Sequence, residues 1–320
     1  MRDKHFNICE FYIAITNRCN LQCLMCTTGK GKYGAESELS SQEWIKIIGN
    51  LERNCAIQRI TFGGGEPLLR DDLGHIMKFT CACDINTVNV ISNGTLFDGV
   101  FLDQFDEHEL KKIGIIFSID GLQYDHDFIR GGGTFKKTVH NFERVYKEYF
   151  LAEKIASLTV SSILMPENFS HFVDFLKEFE RFKGVRFDVQ PVIPNNELCY
   201  VREKFRLTEK EKAKLKEIID YLVAHEYIST RPAPLIRSYM HYFANVLEKN
   251  GRCLTGYESL NITCEGLPYL CGKEVPMPLY AYDFKEIFYS EEYQAELERI
   301  KTCKEPCLQG LHINQENYGS

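Results

Sequence analysis

Six short apolar runs, at residues 11–16, 59–62, 87–92, 114–119, 157–164 and 185–189, recur along the chain with amphipathic segments between them. The intervening helices are expected at residues 41–53, 72–80, 101–112, 134–149 and 170–181. The first is led by a capping box, Ser40-Ser-Gln-Glu43, in which each end of the box satisfies the other's backbone N–H. Strands separated by whole helices pair in parallel through right-handed crossovers. The pattern therefore predicts an α/β fold whose chemistry gathers at the carboxyl ends of the strands.

The first four strands each run into a chemically distinctive loop. The first leads to Arg18-Cys-Asn-Leu-Gln-Cys-Leu-Met-Cys-Thr27, a C-x3-C-x2-C triplet. Three thiolates from one loop can hold three irons of a 4Fe–4S cluster, which usually takes four cysteines, leaving one iron for a ligand. The same spacing also suits half of a zinc site. The second strand ends in Thr61-Phe-Gly-Gly-Gly-Glu-Pro-Leu-Leu69, where glycines admit a ligand close to the backbone. Neither a dinucleotide fingerprint nor a phosphate loop is present. The third ends in Ser92-Asn93-Gly94, which also reads as an ordinary turn. The fourth ends in Ile115-Ile-Phe-Ser-Ile-Asp-Gly-Leu122, with His126, Asp127, Arg130 and Gly131-Gly-Gly-Thr-Phe135 beyond it.

Together these motifs resemble those of radical S-adenosylmethionine (SAM) enzymes, and the fourth resembles the SPASM/twitch branch of that superfamily. The resemblance covers about residues 8–310. It implies a partial (β/α)6 TIM-like barrel in which Cys19, Cys23 and Cys26 hold a 4Fe–4S cluster. SAM chelates the open iron and is contacted by Met25, Gly64, Gly65, Glu66, Ser92, Asn93, Ser118 and Arg130. Glu66 would accept from the SAM ammonium, and Ser118 and Arg130 would meet its carboxylate, Arg130 bidentately. One electron then cleaves SAM to a 5′-deoxyadenosyl radical that removes hydrogen from an unactivated carbon.

Beyond residue 191 the pattern changes. Helices are expected at residues 208–225, opened by the capping box Thr208-Glu-Lys-Glu211, and at 234–250. A region with Cys253, Cys264, Cys271, Cys303 and Cys307 comes next. Residues 260–263 and 267–270 flank Glu265-Gly266 and read as a hairpin. Cys253-x12-Gly266-x4-Cys271 resembles the C-x9–15-G-x4-C element of SPASM and twitch domains, which implies an auxiliary 4Fe–4S cluster on Cys253, Cys271, Cys303 and Cys307. Cys264 replaces Cys271 or is spare, and a four-thiolate zinc knot is the alternative. The expected domains are a core barrel at 8–206, a helical connection at 207–250 and a small cysteine-rich twitch-type domain at 251–310. Cys9, Cys55, Cys81, Cys83 and Cys199 read as small buried hydrophobes.

The remaining features bound the setting. Thirteen cysteines in 320 residues, without a secretory signal or an apolar run near 18 residues, argue against disulfides, secretion and a membrane span. They point to a reducing cytoplasm. The net charge of −7 gives no footprint for nucleic acid. The resemblance implies a flavodoxin- or ferredoxin-type reductant and a peptide or small-molecule substrate. Only ten residues precede the first strand, so leader recognition would come from a protein in trans or from the barrel face. An aminosugar or nucleotide dehydrogenase is the alternative, and a non-catalytic iron–sulfur protein for electron transfer or assembly the rival class. The loop at 191–205, with Tyr200, Arg202 and Lys204, either borders the substrate or is a linker.

Overall fold

Six parallel strands lie side by side in chain order: β1 (Glu10–Thr16), β2 (Arg59–Gly64), β3 (Thr87–Ser92), β4 (Ile113–Ser118), β5 (Ser157–Leu164) and β6 (Arg186–Pro191). The structure is a computed structural model and describes residues 6–26, 38–98, 100–193, 206–244 and 253–303. Helices join the strands, giving the expected partial (β/α)6 barrel.

Period-2 alternation divides each strand between two environments. On β1, Phe11, Ile13 and Ile15 are buried, and on β6 Phe187, Val189 and Pro191 are buried. The alternate positions line internal cavities and are largely polar: Glu10 and Tyr12 on β1, Thr61 on β2, Asn89 on β3, Thr159 on β5, and Asp188 and Gln190 on β6. The helix-facing core between β4 and β6 is strongly aromatic. Phe142 meets Phe117 and Phe182 edge-on, with centroids 5.5 and 4.9 Å away.

The capping boxes at Ser40/Glu43 and Thr208/Glu211 form as expected. Two expected helices are instead broken. The one at 101–112 becomes Val100–Asp103 and Glu107–Leu110, because Asp106 starts a new helix with its own capping box to Glu109. The one at 234–250 becomes Ala233–Arg237 and Tyr239–Phe243, where the Ser238 hydroxyl donates to Leu235 O; residues 245–250 lie outside the described residues.

The hairpin forms as β7 (Ser259–Ile262) and β8 (Pro268–Leu270), with Gly266 at φ 76° in the turn. A two-residue strand, β9 (Lys273–Glu274), adds to it. Unforeseen in the sequence, β7 pairs in parallel with β1, from Glu10↔Ser259 to Ile13↔Ile262. One sheet therefore runs β6-β5-β4-β3-β2-β1-β7-β8-β9.

Candidate functional site at the strand ends

The cysteine loop is pinned where it leaves β1. Gly65 N–H donates to Thr16 O at 2.7 Å and Glu66 N–H donates to Arg18 O at 2.8 Å, so the loops after β1 and β2 run side by side. This approach excludes a side chain: a Cβ on Gly65 would sit 2.6 Å from the Arg18 carbonyl carbon and nearer still to its oxygen. Gly64 is at φ 106°, which only glycine adopts readily. Beneath the loop, the buried Arg70 guanidinium donates to Ile15 O and Leu39 O and pairs with Asp72. Glu38 joins Arg18, Arg70 and Thr16 on the same side. Further along, Leu24 N–H donates to Ile129 O, tying the loop to helix Gln123–Arg130.

Cys19, Cys23, Met25 and Cys26 line one cavity of about 270 Å³. Its walls include Gly63, Gly64 and Gly65 from β2 and its loop, Ser92 and Asn93 after β3, Ser118 after β4, and Arg130. Pro191, Val192 and Ile193 lie across it, so the start of the expected 191–205 loop borders the cavity; Tyr200, Arg202 and Lys204 lie outside the described residues. The structure thus brings together every residue expected around SAM, with one distinction.

Glu66 is fully buried and is absent from the cavity wall. Its Oε1 accepts from Ser92 Oγ at 2.8 Å and Leu68 N–H at 3.3 Å, and its Oε2 from Asn93 N–H at 2.8 Å. Burial holds its pKa above the usual carboxylate range, against those three bonds. Glu66 therefore clamps the loops after β2 and β3. Asn93 extends the clamp, donating through Nδ2 to Asn20 Oδ1 in the cysteine loop at 2.9 Å.

Arg130 is also committed. Its Nε donates to Asp120 Oδ2 at 2.6 Å and its Nη1 faces Cys23 Sγ at 3.9 Å. Burial works against its charge, yet Asp120 and the Cys23 and Cys26 sulfurs outweigh it and hold its pKa above normal. With Nε taken, a two-pronged grip on a ligand carboxylate can use only its Nη edge. Asp120 was visible in the sequence only as part of the Ser-Ile-Asp-Gly turn. Tyr12, whose hydroxyl accepts from Gly64 N–H at 2.7 Å, was hidden as the polar face of β1.

The donor set suits iron. Burial pushes the Cys23 thiol up to about 11 although Arg130 pulls it down, and burial raises Cys19 as well. Such thiols become thiolates against a metal cation, which exchanges for their protons. Among the described residues, no three His, Cys, Asp or Glu side chains are arranged to hold a single metal ion. A cubane has a different requirement, one thiolate at each of several corners.

At the far end of the sheet, Cys253, Cys271 and Cys303 come from three separate segments. Cys271 is exposed at its turn, yet partial desolvation of its thiol raises its pKa against Arg299, and Cys253 and Cys303 are close enough to raise it further. Arg299 fixes the turn by donating to Leu270 O and Cys271 O. Cys307 lies outside the described residues. Cys264 is elsewhere: it is buried at the β7–β8 turn with Asn17 Nδ2 2.8 Å from its Sγ. It belongs to the rim of the first cysteine loop.

Known proteins place this architecture. The Radical SAM superfamily model matches residues 13–179, and the chain belongs to that superfamily of enzymes. Membership sets the enzyme above the rival non-catalytic carrier. The sporulation killing factor maturation protein SkfB of Bacillus subtilis is 31% identical over 134 residues, 42% of this chain and 32% of SkfB. The PqqA peptide cyclase of Granulibacter bethesdensis is 24% identical over 276 residues, 82% of this chain and 69% of the cyclase. A GTP 3′,8-cyclase of Clostridium acetobutylicum is 26% identical over 222 residues, 68% of this chain and 65% of that one. The chain thus spans between about a third and two thirds of these relatives' lengths. Among solved structures, Streptococcus suis SuiB bound to S-adenosylmethionine shares the fold at a TM-score of 0.67 and 13% identity, covering 92% of this chain and 68% of SuiB. No helix among the described residues is long and apolar enough to cross a membrane.

Proposed function

We propose that this chain cleaves SAM reductively and abstracts a hydrogen atom from a peptide substrate. The observation behind this reading is the convergence of Cys19, Cys23 and Cys26 on one cavity with the glycine shelf of residues 63–65. In this reading the three thiolates hold a 4Fe–4S cluster. With cluster and SAM bound, one electron from a flavodoxin- or ferredoxin-type donor cleaves SAM to methionine and a 5′-deoxyadenosyl radical.

The chain's own residues bind and shield. Gly64 and Gly65 let SAM approach the backbone, while Met25, Ser92, Asn93 and Ser118 border it, with Arg130 offering its remaining edge. Glu66, behind the cavity wall, accepts from Ser92 Oγ and Asn93 N–H and so fixes the turn that faces SAM. Ile91, Ile163 and Val192 supply an apolar wall that shields a reactive radical from water. Cys253, Cys271, Cys303 and Cys307 would hold an auxiliary 4Fe–4S cluster assisting oxidation, cross-linking or epimerisation. The domain limits at 206 and 250 belong to the same reading.

One relative named for a peptide, the PqqA peptide cyclase, supports a peptide substrate. The GTP 3′,8-cyclase favours a nucleotide as the second reading. Anaerobic reconstitution separates the outcomes. About eight irons per chain are expected, falling to about four when Cys19, Cys23 and Cys26 are replaced, as two four-iron clusters require. Dithionite and SAM should yield 5′-deoxyadenosine in the wild type and none in Cys23→Ala. Unchanged iron in the triple variant would remove the first cluster. Stimulation of 5′-deoxyadenosine formation by GTP, but by no peptide, would select the nucleotide reading.

A further inference from the structure

Resting on the assignment of Cys19, Cys23 and Cys26 to a 4Fe–4S cluster, we propose that Arg130, locked by Asp120, sets the reduction potential of that cluster through Cys23 before SAM binds. Arg130 is thereby a positioning residue whose charge acts on a cluster ligand, apart from any contact with the cofactor's carboxylate.

The geometry holds the guanidinium from both sides. Asp120 receives Arg130 Nε at 2.6 Å, and the carboxylate is itself fixed, because its Oδ1 accepts from Ile163 N–H at 2.8 Å. Asn168 Nδ2, beyond the end of β5, donates to both Asp120 O and Ile163 O at 2.8 Å, joining the turn to β5. On the other side, Leu24 N–H binds Ile129 O, so the residue after Cys23 is bonded to the residue before Arg130. The 3.9 Å approach of Nη1 to Cys23 Sγ is the consequence of these two ties. Both partners are buried, Arg130 at 9% and Cys23 at 7% exposure, where charge interactions are weakly screened.

One-electron reduction adds a negative charge that spreads over the cluster sulfurs. An N–H donor and a positive charge beside one thiolate favour that reduced form, and iron–sulfur potentials respond to hydrogen bonds and net charge. Asp120 moderates the effect while keeping the donor aimed. The electron comes from the external low-potential donor and nothing else is consumed.

The decisive measurement is an EPR-monitored redox titration of the reconstituted full-length protein without SAM. The relevant signal is the one whose g-values change when SAM is later added. Arg130→Met should lower the reduced-to-oxidised ratio at a fixed potential at least tenfold, about 59 mV for one electron. Arg130→Lys, which keeps the charge, should recover most of that shift. A potential unchanged in Arg130→Met without SAM, with only SAM affinity altered, would overturn the proposal. So would Arg130→Lys shifting as far as Arg130→Met. If Arg130→Met fails to retain iron, wild-type protein grown with guanidine-labelled 15N-arginine decides. Pulsed EPR of the reduced, SAM-free cluster should show coupling to an arginine nitrogen, and its absence would refute the contact. A wild type with no SAM-responsive signal would instead defeat the underlying cluster assignment.

Discussion

Replacing Gly65 by alanine tests the arrangement of the site most directly. The new methyl would lie 2.6 Å from the Arg18 carbonyl carbon, and the obstacle is backbone that no rotamer change can clear. Carbon atoms pack at about 3.5–4.0 Å, so roughly 1 Å of main-chain movement is required. That movement strains two bonds, Gly65 N–H to Thr16 O and Glu66 N–H to Arg18 O. Each is worth about 1 kcal/mol net, and overpacking adds about 1–3 kcal/mol, so a loss of roughly 3–5 kcal/mol is expected if both bonds break. The functional loss should be larger than the stability loss implies. Arg18 immediately precedes Cys19, and a 1 Å misplacement near reacting groups costs on the order of 100-fold in rate. Thermal melting and the rate of 5′-deoxyadenosine formation measure the two effects. Gly132→Ala is the matched control, because nothing lies within 4 Å of a Cβ there. A Gly65→Ala variant that melts and turns over like wild type would refute the steric argument.

Three further outcomes rest on particular contacts. Phe142→Ala removes a fully buried ring wedged between Phe117 and Phe182, and denaturant unfolding should show a loss of about 3–5 kcal/mol. Glu66→Gln turns an amide N–H₂ toward one of the donors that the carboxylate now accepts. A loss of about 1–3 kcal/mol in unfolding free energy is expected, and a variant as stable as wild type would show that the clamp is dispensable. Burial, aided by Arg130 and opposed by Asp120 and Asp127, lowers the His126 pKa to about 4. The unfolded chain then binds more protons than the folded one below the ordinary histidine pKa. Stability should therefore fall by about 2 kcal/mol from pH 7 to pH 5 on this account, a dependence that His126→Asn should flatten in anaerobic unfolding titrations.

Much of the barrel was legible in the residues. Short apolar runs marked β1 to β6, and the cysteines, glycines, Ser92-Asn93 and Ser118 all fell where strands end. Side chains acting across the fold were less legible. Nothing local distinguishes a Glu66 that faces a ligand from one that faces the next loop, since both need a glycine-rich turn. Asp120 and Arg130 are ten residues apart and meet only because the intervening turn and helix fold back. The helix breaks at Asp106 and Ser238 arise where a side chain offers the backbone an alternative partner, which the apolar pattern does not record. The pairing of β7 with β1 left no signature either. Four residues, Ser259 to Ile262, suffice for a parallel match, and an isolated hairpin was the simpler expectation.

That match decides how the cysteine-rich end can move. Backbone bonds stitch it to the first barrel strand along four residue pairs, and Cys264 is wedged beside Asn17 at the top of the seam. A lobe fastened this way cannot swing like a door on a tether. The seam ties the turn that carries Cys264 to the strand that leads into the first cysteine loop, so the two cysteine regions share one sheet.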